Sequence, residues 1–304
     1  MQRIALLIGV VSHLVACGGG GNTDPDARPR ADATMQIERA YVVKRIVLAS
    51  TVEQVEASQF VFPGSGVPVN KVGALVQVML GLLEGIPVQA DLDANILAGL
   101  ARQVAVIRSA PLDGFDDQVT GYLVNATDVD DPADPTNDFN GAGQFRLAAG
   151  VATDPHWTTG SIDGGELVAH GNAESSITIE IPLFAEDPAA GVPGVYAQTR
   201  GTITEEGFVG AAASAITRAE LEATVYPVTA RLLTMGLQLP VARAEDISNL
   251  FDTNKDGMVT VEELIANPTM ATLTSEDMDL DGDTVNDHIS QGILIETVRV
   301  ELVP

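Results

Sequence analysis

The sequence predicts an α+β protein: a mainly antiparallel β-sheet domain over residues 36–243 with a few packed helices, then a C-terminal region, 244–304, organised around acidic loops and ending in a strand that returns to the sheet. Three observations carry this expectation. Ile177, Ile179 and Ile181 alternate with Thr178, Glu180 and Pro182, the period of two that puts alternate side chains on one buried face. GSIDGGELVA from Gly160 and GTITEEGFVGA from Gly201 each read as strand, polar glycine-containing turn, strand. Hairpin turns that recur without long intervening helices favour antiparallel pairing over a βαβ alternation. Leu/Val/Ala-rich stretches, by contrast, read as helices that pack on the sheet.

Taken in order, the chain opens with Arg3 followed by an apolar run from Ile4 to Ala16, too short to span a bilayer as a mature helix and suited to an export signal over 1–16. Leu14-Val15-Ala16-Cys17 ends it, and Cys17 is the only cysteine of the chain, so no disulfide is available to the fold. Residues 17–35, rich in Gly, Asp, Pro and Ala, have the composition of a flexible tether. Strands are expected at Ala40 to Ala49, Val104 to Ser109, Gln118 to Asn125, Gly143 to Val151 and Val195 to Thr204, and the alternation from Thr297 to Leu302 marks a last one. Helices are expected at Lys71 to Leu83, Asp93 to Gln103 and Arg218 to Met235; Thr217 and Glu220 form a capping box, and Pro227 implies a kink or a break.

The run into Cys17 resembles the lipobox of bacterial lipoproteins. That resemblance implies cleavage before Cys17, acylation of the cysteine and stable anchoring in a membrane, and Gly18 at the next position points to the outer membrane. Forty-two acidic residues against 16 basic ones, a formal charge of -26, and no basic cluster disfavour nucleic acid and anionic lipid surfaces as partners and favour cations.

Cations have an evident place to bind. In FDTNKDGMVTVEEL, Asp252, Asn254 and Asp256 stand at alternate positions, Gly257 follows, and Glu263 closes a twelve-residue loop. The pattern resembles the EF-hand calcium loop, in which side-chain oxygens converge on the ion, a glycine makes the sharp turn and a terminal glutamate supplies both oxygens. The resemblance implies ligation by Asp252, Asn254, Asp256, the Met258 carbonyl, Thr260 through water, and Glu263, with Val259 pairing by its backbone to a neighbouring loop. The exiting helix has only Val261 to Ala266 before Asn267-Pro268 ends it, which favours a static site over a sensor that opens. Further on, DMDLDGDTVNDH places Asp277, Asp279, Asp281 and Gly282 at the same spacing, with His288 in place of the closing glutamate. It is similar to thrombospondin type 3 and dockerin-type loops, which implies Asp277, Asp279, Asp281, Asp283 and Asp287 as ligands. The expected fold class is therefore α+β with a C-terminal EF-hand-like calcium-binding pair. PGSGVPVN, Pro63 to Asn70, can be laid on the second loop with its carboxylates replaced, or read as a plain turn. DVDDPADPTND, Asp128 to Asp138, shows no ligand spacing and is expected to be a solvated loop.

Catalytic signatures are missing: there is no G-x-S-x-G turn, no zinc spacing, no phosphate loop and no dinucleotide fingerprint, and His156 beside Trp157 is more suited to a strand edge than to a pocket. The expected function is a non-enzymatic, calcium-binding, lipid-anchored envelope protein in which calcium is structural. A calcium-dependent adhesion or ligand-binding module is the alternative, and a hydrolase with accessory calcium ranks below it.

Overall fold

A computed structural model describes residues 36–148, 158–187, 189–239 and 243–304. Cys17, the signal and the tether, and the pair His156 and Trp157, lie outside the described residues. In chain order the elements are β1 (Ile37–Val47), α1 (Val52–Ala57), β2 (Phe60–Val61), β3 (Pro68–Val69), α2 (Lys71–Leu82), α3 (Val88–Leu97), β4 (Gln103–Ser109), β5 (Phe115–Asp128), β6 (Gln144–Leu147), β7 (Thr158–Asp163), β8 (Glu166–His170) and β9 (Ile177–Ile181). They continue with β10 (Ala190–Ile203), β11 (Phe208–Thr217), α4 (Arg218–Gln238), α5 (Ala244–Phe251), α6 (Val261–Ala266), α7 (Pro268–Leu273) and β12 (His288–Leu302).

The sheet closes. From β1 the ladder passes through β4, β5, β7, β8, β10, β11 and β12 and returns to β1, every pair antiparallel, which makes an eight-stranded barrel. This corrects the expected fold class: the molecule is an antiparallel β-barrel with a few helices, not an α+β domain carrying a C-terminal EF-hand pair. The reason lies in the two pairings that seal the ring, β1 with β12 and β5 with β7. An alternating pattern shows that a segment is a strand with one buried face, but not whether the first strand meets the last.

Side chains fill the barrel as expected for eight strands. Tyr41, Ile107, Val119, Ile162, Leu167, Phe208 and Ala212 belong to one buried cluster that runs on to Leu75, Leu92 and Leu233 of the helices. The outer wall is covered as well. Phe145 of β6 packs with Ala40, Val42, Val104 and Val106, while Phe60, Phe62 and Met278 pack with Ala211, Ala213 and Ala215 of β11. Gly201, at φ +157, sits where an added Cβ would lie 2.4 Å from the Val209 carbonyl oxygen, so the β10–β11 ladder needs glycine there.

α4 runs unbroken through Pro227, capped at Thr217 as its sequence suggests; Thr217 accepts from the Glu220 amide and Glu220 accepts from Thr217. α3 starts at Val88, five residues before the expected helix, and α1 carries an equivalent box on Thr51 and Gln54. β12 spans 15 residues, far more than the alternation at its end suggested. Among the described residues, no helix is long and apolar enough to cross a membrane.

Candidate metal loops

α5 and α6 bracket the first loop. Phe251 and Leu264, which end and occupy these helices, are buried in the common core, and Ile247 joins them. Asp252 is 2 % exposed; its two carboxylate oxygens accept from the Asp256 and Gly257 amides at 3.1 Å. Asn254 Oδ1 accepts from the Asp256 amide at 2.9 Å, and Asp256 Oδ1 from the Met258 amide at 2.9 Å. Lys255 and Gly257 take positive φ, and the Lys255 ammonium turns out of the loop to the Ser248 carbonyl. Glu263 faces inward: Oε1 accepts from the Thr253 and Asn254 amides and the Thr253 hydroxyl, Oε2 from the Thr260 amide and hydroxyl. Burial would raise its pKa, but these donors outweigh burial and hold the carboxyl below its usual value.

The expected backbone pairing of Val259 with a second loop is not made. Its amide donates to Thr234 Oγ1 of α4 at 2.9 Å, and that hydroxyl donates to the Val259 carbonyl at 3.3 Å. A helix of the barrel's cap thus takes the place of a partner loop.

In the second loop three of the hydrogen bonds repeat those of the first with Asp279, rather than Asp277, in the leading place, the fourth coming from the Gly282 amide instead of the Asp283 amide. Asp279 accepts from the Gly282 and Thr284 amides at 2.8 Å, Asp281 from Asp283 at 3.1 Å, and Asp283 from Val285 at 2.8 Å. Gly282 and Thr284 have the positive φ values that Lys255 and Gly257 have in the first loop. Asp279, Asp281 and Asp283 therefore correspond to Asp252, Asn254 and Asp256, and each offers a carboxylate oxygen within 4.8 Å of the others. Asp277 stands apart: its carboxylate accepts from the Ser290 amide at 2.9 Å and hydroxyl at 2.7 Å. Asp287 bonds the His288 ring at 2.6 Å, and that contact lowers its pKa against the opposing effect of burial.

All side-chain donors in both loops are oxygens, as a hard cation requires. Of the two, the Asp279–Asp283 group brings its carboxylates together, whereas Glu263 of the first loop is engaged by backbone and hydroxyl donors. The shifted register is hard to read from residue types alone, because Gly282 is the natural marker for the turn. Thr284, a β-branched residue at φ +73, holds the place that Gly257 holds in the first loop.

The second loop is fixed to the barrel. Met278 is fully buried against Phe60 and Phe62, and it exchanges backbone hydrogen bonds with His288, the first residue of β12. Pro63 to Asn70 holds no ligand set; its turn packs on the loop, with Gly64 at φ +76 where a Cβ would come within 2.4 Å of the Asp279 carbonyl oxygen.

Two apolar spaces lie away from the loops. A cleft of about 100 Å³ between α2, α4 and the strands is lined by Val72, Val76, Leu80, Ile181, Val225 and Leu232. A second of about 80 Å³ inside the barrel is lined by Ile107, Val119, Leu167, Phe208 and Ile295. No protein-family model matches the chain, and no curated protein or solved structure matches it either.

Proposed function

We propose that the protein is a calcium-stabilised β-barrel, anchored by lipid at Cys17 in the bacterial envelope, in which calcium holds structure and neither signals nor takes part in catalysis. The observation that carries the calcium reading is the convergence of Asp279, Asp281 and Asp283, with three of the loop hydrogen bonds matched around Asp252, Asn254 and Asp256. When bound, the ion supplies positive charge to crowded carboxylates. The chain's own residues do the rest: Asp277 fastens the loop to Ser290, and Met278 fastens it to His288, so order in the loop is order at the start of the strand that closes the barrel.

A structural role is favoured over a switch because the first loop has no free helix pair to open. Phe251, Val259 and Leu264 are buried with the barrel's cap, and α6 has six residues. Extracellular-type calcium sites bind at about 0.1–1 mM, and a hundredfold excess over that constant adds about 2.7 kcal/mol per site. The test is a thermal melt of the soluble chain in calcium and in chelator, for the unaltered protein, Asp281→Asn and Glu263→Gln. Calcium should raise the midpoint of the unaltered protein by roughly 5–10 °C per site, with each variant losing part of the rise. Identical midpoints in calcium and chelator would end the proposal. Anchoring is read separately, by incorporation of labelled fatty acid that Cys17→Ser abolishes.

The apolar cleft between α2 and α4 favours one second reading, a binding module for an uncharged aliphatic ligand, since its lining carries no charged side chain. Saturable binding of a fluorescent fatty-alcohol analogue, blocked by Val76→Trp, would support it; binding unaffected by that change would not.

A further inference from the structure

The segment joining β5 to β6 departs most sharply from its sequence. Asp128 to Asp138 was expected to be solvated, yet Asp128 is 1 % exposed and Asp138 is fully buried. Among the described residues, the buried side-chain polar atoms that lack a hydrogen-bond partner are Asp128 Oδ2, Asn137 Oδ1 and Asp138 Oδ1, and all three lie in this one segment. Buried carboxylate oxygens without partners are costly, and native proteins satisfy them with donors, water or ions.

The surroundings limit what could satisfy them. Asp128 Oδ1 already accepts from the Asp130 and Asp131 amides, and Asp130 Oδ1 from the Gln144 amide at 2.9 Å. Asn137 Nδ2 donates to Asp130 Oδ2, which leaves its Oδ1 as the free end of the amide. Arg102 is the nearby cation: its Nε donates to Asp138 Oδ2 at 2.7 Å, while its Nη2 stays 3.7 Å from Asp128 Oδ2, beyond hydrogen-bond range. Asp128 and Asp138 face one guanidinium, and Asp130 interacts with Asp128 beside them, so three carboxylates gather around a single cation, an excess of two negative charges. Burial, then the Asp130 carboxyl, then the Asp138 charge push the Asp128 carboxyl up, as expected where anions are crowded without enough cation. These three carboxylates stand further apart than those of the second loop, so ion binding would draw the segment in.

We propose that this segment is a calcium site of its own, ligated by Asp128 Oδ2, Asn137 Oδ1, Asp138 Oδ1 and the Asp130 carboxylate, with water filling the remaining positions. Oxygen donors without histidine or cysteine select a hard cation, and the excess charge matches a divalent one. Calcium fits better than magnesium because one donor is an amide carbonyl and the donor set is irregular, where magnesium demands near-ideal octahedral geometry. Its structural effect follows from position. β6 lies beside the ends of both β5 and β12, and Phe145 and Phe139 cover the outer faces of β1 and β4, so the ion fastens this flap to the barrel wall.

Equilibrium dialysis of the chelator-stripped chain against calcium, without its signal segment, tests the site by counting ions per chain. Asp130→Asn and Asn137→Ala should each bind one ion fewer than the unaltered protein, whether or not Glu263→Gln and Asp281→Asn remove ions elsewhere. Asp130 is exposed, so its variant should fold. Arg102→Met gives a second readout: its midpoint should fall in chelator, and the rise on adding calcium should exceed that of the unaltered protein. Equal ion counts in the unaltered, Asp130→Asn and Asn137→Ala proteins, or a calcium-induced rise in Arg102→Met no larger than in the unaltered protein, would overturn the proposal and leave a plain buried ion cluster.

Discussion

Single residues set the shape of both acidic loops, and three of them make sharp tests. Thr284 pays a backbone penalty at φ +73 that glycine would not, so Thr284→Gly should stabilise the chelated protein by up to about 1 kcal/mol in urea unfolding. Gly64→Ala should do the reverse. It meets both a positive φ and the Asp279 carbonyl oxygen, and a loss of about 1–3 kcal/mol with weaker calcium binding at the second loop is expected. Glu263 gives a pH signature. Its folded pKa lies below its unfolded value, so it contributes stability above the unfolded pKa that is lost as pH falls through the folded one. In chelator, the midpoint of the unaltered protein should fall more steeply than that of Glu263→Gln as pH drops below the ordinary glutamate value of about 4.3. Residue types told most of this in advance: Asp, Asn and Glu at alternating positions announce oxygen donors. What they could not tell was register. Asp277 and Asp279 are the same residue two places apart, and only the Ser290 contact on one side and the Thr284 turn on the other separate their roles.

At the level of elements, the first loop depends on α4 as much as on its own helices. Thr234→Val removes the hydroxyl that bonds both the amide and the carbonyl of Val259. With the Val259 side chain buried, the change should cost about 1–3 kcal/mol and lower calcium affinity, read by melts and by calcium titration. The start of α4 was legible because Thr217 and Glu220 form a local hydrogen-bond pattern ahead of a long apolar-periodic run; α1, capped alike by Thr51 and Gln54, has only six residues and no such run to mark it. α3 begins earlier than its sequence suggests because its N-cap residue, Pro87, makes no side-chain cap that would mark the start. The segment from Asp128 to Asp138 was misread for a third reason. Acidic composition describes what a loop would prefer alone, whereas β6 and Phe145 draw this one against the barrel wall.

The whole molecule is held together by its most distant pairing. β12 joins β1 on one side and β11 on the other, and its first residue is tied to Met278 of the second loop. Local patterning shows strands; ring closure comes from contacts across nearly the full described chain, which is why a sheet was legible and a barrel was not. The same arrangement turns a loop-sized ion site into a matter of global stability. Amide hydrogen exchange across β12 and its partners in β1 and β11, in calcium and in chelator, tests this most directly. Calcium should slow exchange from His288 through the strand and in its neighbours on both sides, and Asp281→Asn should abolish the slowing. Protection confined to the loops, or faster exchange at β12 with calcium bound, would contradict it.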